Sequence, residues 1–323
     1  MVLTKINAFF NPERFQGWGK KKKYFEGWYF KVVNAEETKA FAFIPGIAMD
    51  EAGRQQAFIQ VLDGKKKTAA YHKFDATLFK PSASSFLVNI GNNSFSENHL
   101  KLDLPGINGE LSFSGNVPWP KPFYSPGIMG PYAFVPFMEC YHGIVSMDHS
   151  IKGQLVFNNE RIDFTNGRGY IEKDWGQSFP SAYIWMQSNH FSIPGISFKA
   201  SVAKIPWIRN SFVGFIAGVW LRDKLLQFTT YNSAVLKKSF ADTEKVEVVI
   251  ENKKYMLEIM AKRDIATALA SPIGGLMDGR IEESMTARVE VKVYDKKNRI
   301  TLFHDTGRNT AIEVAGKIEE IMV

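Results

Sequence analysis

Residues 169–187 read GYIEKDWGQSFPSAYIWMQ. Tyr170 to Trp175 has the look of a strand end running into a tight turn at Gly176. Ala182 to Ser188 reads as a second strand, with Tyr183, Trp185 and Gln187 on one face, because strand side chains alternate with period two. Pro180 separates the halves and cannot donate a ladder hydrogen bond. In an extended segment Glu172 and Asp174 share a face about 7 Å apart, and Lys173 points the other way. Two close carboxylates in a partly apolar site do not both ionise easily, so one becomes an acid usable near neutral pH. The charged cluster and the aromatic face are expected to look into one space.

Working outward, the pattern is β throughout. Tyr24 to Val33, Lys39 to Ile47 and Gln56 to Leu62 are expected strands, with turn signals at Asp50-Glu51-Ala52-Gly53 and Asp63-Gly64. Short strands continue to Gly115. Residues 117–136 then carry six prolines, a density that no regular element survives. Alternation resumes at Ile151 and runs on with turns every 8 to 12 residues, as in sandwiches and barrels. Helical periodicity is scarce, with one short terminal helix expected over Val314 to Met322. Two β-rich halves joined near residues 145 to 170 are the simplest architecture.

The first expected strand, Tyr24-Phe-Glu-Gly-Trp-Tyr-Phe-Lys31, puts Tyr24, Glu26, Trp28 and Phe30 on one face. A carboxyl among three aromatics needs a partner. Glu26 is either a structural ion-pair member or a second acid.

At two places the chain resembles the tocopherol cyclase family. They are the E-K-D-W-G-x-x-F-P run at Glu172 to Pro180 with Trp185-Met-Gln-Ser-Asn189, and Tyr24 to Lys31 far upstream. The chain departs from the plant members at Asp174, where they usually carry Asn, and at Gly176-Gln177-Ser178, where they have a glycine run. The resemblance implies an all-β fold of two lipocalin-like antiparallel β-barrels packed together with a lipid-sized cavity. The expected division is an irregular lead-in over 1–22, a first barrel over 23–150 that includes the Pro-rich segment, and a second over 151–323. It further implies an intramolecular lyase or isomerase that protonates a prenylated hydroquinone and closes a chromanol ring without cofactor or metal. Glu172 and Asp174 are its expected acids. Glu26, Trp28, His142, Trp175, Gln177, Tyr183, Trp185 and Gln187 are the expected substrate-binding residues. A carrier of apolar ligands without catalysis, and an isoprenoid double-bond hydratase, stay open beside it.

Composition narrows the alternatives. The 323 residues are 45% hydrophobic and 14% aromatic, with 26 Phe and 7 Trp, which suits a β core and an aromatic-lined pocket alike. The formal charge is +7, partly from Lys20 to Lys23 and Lys65 to Lys67. No RNP-type motif accompanies the lysines, so nucleic acid is not an expected partner. Lys20 to Lys23 could touch an anionic membrane surface. His142 and His149 flank Asp148 in a spacing that matches no common zinc pattern. Ser178 and Ser181 lack a nucleophile elbow, and no phosphate loop enters a helix. The single Cys140 fits a reducing compartment. The N-terminus lacks the apolar core of a secretory signal, and Phe212 to Leu221 is far short of the roughly 20 residues that span a bilayer. The expectation is a soluble cytoplasmic protein with peripheral membrane contact.

Overall fold

A computed structural model describes residues 2–323. The first sheet has 12 strands: β1 (Tyr24–Val33), β2 (Ala40–Met49), β3 (Gln55–Asp63), β4 (Thr68–Asp75), β5 (Phe79–Pro81), β6 (Leu87–Ile90), β7 (Asn93–Ser96), β8 (His99–Leu104), β9 (Ile107–Ser114), β10 (Cys140–Phe157), β11 (Glu160–Asp163) and β12 (Arg168–Gly176). The second has ten: β13 (Ala182–Ser188), β14 (Ile196–Trp207), β15 (Asn210–Leu221), β16 (Lys224–Thr229), β17 (Val235–Ala241), β18 (Lys245–Glu251), β19 (Tyr255–Lys262), β20 (Thr267–Ile273), β21 (Leu276–Asp295) and β22 (Ile300–Gly316). Neighbouring strands are antiparallel, in the order 4-3-2-1-12-10-9-8-7-6-5 and 16-15-14-13-22-21-19-18-17.

Side-chain distances show that both sheets curl. The rings of Trp28 in β1 and Phe79 in β5 lie 6.5 Å apart. Those strands are seven steps apart in the sheet, about 33 Å if it were flat. In the second sheet Lys224 Nζ of β16 reaches the Tyr255 hydroxyl of β19 at 3.2 Å, across six steps. Each sheet is thus a lipocalin-like antiparallel barrel wrapped round its own core. The aromatic surplus fills the first one. Trp28 stacks on Phe86 at 5.6 Å, and Phe30 meets Phe86, Phe95 and Phe113.

The chain divides into two compact units at Phe179 and Pro180. Residues 169–187 therefore hold the last strand of the first sheet and the first strand of the second. The first unit extends beyond residue 150 because β10 pairs with β9 on one side and β12 on the other, so β11 and β12 complete the first barrel. Residues 269–280, the tip of the β20–β21 hairpin, also belong to the first unit. There the Gln60 side chain bonds both backbone groups of Ala270, at 2.9 and 3.0 Å. At Gly275 a Cβ would lie 2.1 Å from the Met49 carbonyl.

The lead-in has structure that its composition did not announce. It opens with α1 (Val2–Phe9). Residues 12–17 then enter the mouth of the first barrel, where Phe15 joins the core. The C-terminal helix expected over 314–322 shrinks to a 3-10 turn at Ile318–Ile321, because β22 runs on to Gly316.

His149 is buried in this first unit beside Phe113, with ring centroids 4.6 Å apart. It fits because its strand partner is Gly169, where a Cβ would come within 2.1 Å of Nε2. Burial pushes the His149 pKa from the ordinary 6.5 down to about 3. As pH falls below about 6.5 the unfolded chain takes up a proton that the folded chain refuses. Stability is full above that pH and declines towards pH 3, by about 1.4 kcal/mol per unit. The pH dependence of the urea midpoint checks this, with the slope flattening in His149→Gln. An equal slope in both proteins assigns the acid loss elsewhere.

Candidate active site

Two polar constellations sit on opposite faces of β1 and β12. The alternation of β12 separates them: Ile171 and Trp175 belong to the barrel core, so Lys173 points inward while Tyr170, Glu172 and Asp174 point outward.

On the outward face, β10 lies beside β12 with His142 opposite Asp174 and Ile144 opposite Glu172. On the other flank β1 sets Tyr29 opposite Glu172. His142 Nδ1 lies 2.8 Å from Asp174 Oδ1, and its Nε2 lies 3.5 Å from Glu172 Oε2. Tyr170 donates its hydroxyl proton to Glu172 in a short hydrogen bond. An imidazole is thus held between two carboxylates, the side chain of Glu172 5% exposed and that of Asp174 27%. Burial first, then the nearby Glu172 charge, pushes the Tyr170 phenol well above its usual range, so it remains a donor. The Cys140 thiol, 3.9 Å from Asp174 Oδ1, is pushed up by burial and then by the charges of Asp174 and Glu139. It stays a thiol and is a poor nucleophile.

With Asp174 accepting from Nδ1–H, Nε2 faces Glu172 Oε2 at 3.5 Å and makes no hydrogen bond among the described residues. An imidazole between two carboxylates, one of them bonded by Tyr170, brings together the residue types that general acid chemistry uses. His142, Glu172 and Asp174 could also hold a cation, since each offers a ligand atom within 4.8 Å of the others.

On the inward face Lys173 pairs with Glu26 at 2.5 Å, both fully buried. Its ammonium bonds the carbonyls of Pro12, at 2.9 Å, and Arg14. It lies 4.8 and 4.6 Å from the ring centroids of Trp28 and Trp175. Glu26 also accepts from the Gln16 and Gly17 amides and the Tyr24 hydroxyl. Burial pushes the Glu26 carboxyl up and the Lys173 ammonium down, and these partners oppose it. This is the ion-pair alternative for Glu26. Of the expected substrate-binding residues, Glu26, Trp28 and Trp175 belong to this inward group, and only His142 joins the two carboxylates.

A family signature described as Tocopherol cyclase-like matches residues 111–316. The chain belongs to the tocopherol cyclase-like family. A protein of Oryza sativa subsp. japonica named "Probable tocopherol cyclase, chloroplastic" is 26% identical over 197 residues, 57% of this chain and 41% of the relative. The chain thus spans about two fifths of that curated relative. Among solved structures, CghA with Sch210972 superposes with a TM-score of 0.57 at 10% identity, over 91% of this chain and 89% of that one. Kievitone hydratase from Nectria haematococca gives 0.50 at 10% identity, over 91% and 89%. These two establish the fold alone.

In this tocopherol cyclase-like chain, Tyr183, Trp185 and Gln187 belong to the second unit. They lie on the face of β13 opposite its core residues Ile184 and Met186. Tyr183 donates to Glu313 at 2.8 Å. Gln187 pairs in register with the fully buried Lys199, whose ammonium bonds Ser201 at 2.8 Å. The side chain of Gln177 is exposed. It is its backbone that is used, donating to the Glu139 carbonyl at 2.9 Å and accepting from Gly275 at 2.7 Å. A groove of about 440 Å³ by Asn92, Lys101, Asp103 and Glu110 lies on β8 and β9, away from the His142 cluster.

Nothing in the sequence singles out Tyr170, although it precedes Glu172 by two positions and shares its face. Nor does it mark Lys173 as a buried cation, or Lys199 and Glu313. A lysine or glutamate in an alternating strand is ordinarily solvated, and nothing local distinguishes these.

Proposed function

We propose that this protein performs an acid-catalysed cyclisation of a prenylated hydroquinone to a chromanol. The observation that carries the reading is His142 held between Glu172 and Asp174, with Tyr170 bonded to Glu172. Family membership points the same way. Glu172 delivers a proton to the less substituted carbon of the side-chain double bond. The tertiary carbon takes the positive charge, the phenol oxygen bonds to it, and the phenol proton returns to the carboxylate. Substrate and product are isomers, so no oxidant or reductant enters the balance. Asp174 holds the imidazole ring in place through Nδ1. Fixed charges and dipoles aimed at the developing cation supply much of such catalysis.

The test is incubation with a panel of prenylated hydroquinones in heavy water, followed by mass spectrometry. The expected product carries one carbon-bound deuterium at the protonated position and is otherwise an isomer of the substrate. A product heavier by one water makes the nucleophile water and the protein a hydratase. Tight binding without conversion makes it a carrier. Either result ends the cyclisation reading.

A further inference from the structure

An amphipathic helix normally turns its apolar stripe to the core. α1 does the reverse. Ala8 is its buried residue, while Leu3, 82% exposed, and Ile6 face outward, with Phe10 just beyond. The Phe9 ring lies 5.1 Å from those of Phe10 and Phe134. Phe134 closes the 3-10 turn Gly130–Phe134 of the Pro-rich segment, which also exposes Phe123 and Phe137. The four exposed phenylalanines among the described residues, Phe10, Phe123, Phe134 and Phe137, lie in these two segments or at the residue directly after one of them. Both are held as one surface: Lys121 bonds Glu13 at 2.9 Å, and Gly127 packs against Pro12. A monomer rarely exposes so large an apolar cluster without an occupant.

The charge beside it is one-signed. The first 23 residues hold five lysines and one arginine against a single acid, Glu13, which Lys121 already engages. Lys5, on α1, and Lys20, Lys21 and Lys22 are exposed. Gln16 ties the end of α1 to the segment leading to those lysines, through a 2.7 Å bond to the Ala8 carbonyl. Apolar side chains beside a lysine excess fit the headgroup boundary of an anionic lipid leaflet. No helix among the described residues is long and apolar enough to cross a membrane, so such contact would be peripheral. The patch is also joined to the His142 cluster. Tyr141 bonds the Val135 carbonyl at 2.5 Å, and Lys173 bonds that of Pro12, so it is anchored to the strand ends that carry His142 and Asp174.

We infer that α1 and the Pro-rich segment form one docking surface for an anionic phospholipid membrane. Vesicle binding is read without substrate, so the inference stands or falls apart from ring closure.

The experiment floats the full chain with vesicles of phosphatidylcholine alone and with added phosphatidylserine. Binding is expected to the mixed vesicles, weaker to phosphatidylcholine, and reduced but not abolished by salt. Leu3→Glu with Ile6→Glu should weaken it at least about tenfold. Ile265→Glu, at an equally exposed position outside the patch, should leave it unchanged. Lys20→Glu with Lys21→Glu should remove the preference for phosphatidylserine. Three results overturn the inference: wild type that does not float with the mixed vesicles, an α1 variant that binds as tightly as wild type, or sedimentation showing that the α1 variant converts a dimer to monomers. The last makes a second copy the occupant.

Discussion

Glu172→Gln combined with Asp174→Asn abolishes conversion of a prenylated hydroquinone while an apolar ligand still binds. Both changes keep shape and hydrogen-bonding reach, so the sheet face that carries them is preserved. What they remove is every carboxyl that can hold or return the proton at His142. General acid chemistry contributes roughly 10²- to 10⁴-fold, and the double variant should lose at least that much. Glu172→Gln alone should cost most of it, because Glu172 is the proposed proton donor, is the more buried of the two carboxyls and receives the bond from Tyr170. Asp174→Asn should cost less, since an amide oxygen can still accept from Nδ1. Rates from single-turnover assays, beside ligand affinity from fluorescence titration, separate chemistry from binding. Full activity in the double variant would sink the assignment of these residues.

Lys173→Met should be the most damaging single change to stability. It leaves Glu26 buried without its counter-charge and frees the carbonyls of Pro12 and Arg14. Removing one member of a buried pair costs about 3–5 kcal/mol. For a unit of this size that lowers the melting temperature by about 10 °C. The lead-in is pinned chiefly by this lysine and by the Gln16 and Gly17 amides on Glu26. Trypsin should therefore cut at Arg14 sooner in the variant. Adding Glu26→Gln should recover part of the loss, because an amide in that pocket carries no uncompensated charge, and the double-mutant cycle reads the coupling directly. A loss below about 1 kcal/mol, within the range of an exposed pair, would show that the pair does not hold the barrel mouth.

The predicted strands at Tyr24 to Val33 and Ala182 to Ser188 were legible because alternation is written between neighbours in the chain. For the same reason Glu172 and Asp174 were separable from Lys173: a strand sends them to opposite faces whatever else it touches. The partners of those faces were not legible. His142 stands 32 positions from Asp174, and only the pairing of β10 with β12 brings its ring between the carboxylates. Lys173 finds its carbonyls about 160 positions away in a lead-in without periodicity. Gln177 drew notice for its side chain, whereas the turn uses its backbone.

By itself the sequence determined an all-β chain in two halves, a family, and a strand with two carboxylates on one face and a lysine on the other. These rest on local alternation and on short motifs. Tertiary structure alone decided that the first barrel continues through β12, that Glu26 answers Lys173 inside it, and that His142 joins Glu172 and Asp174 outside it. Register between distant strands follows from the burial of both sheet faces at once, a condition that no single segment contains.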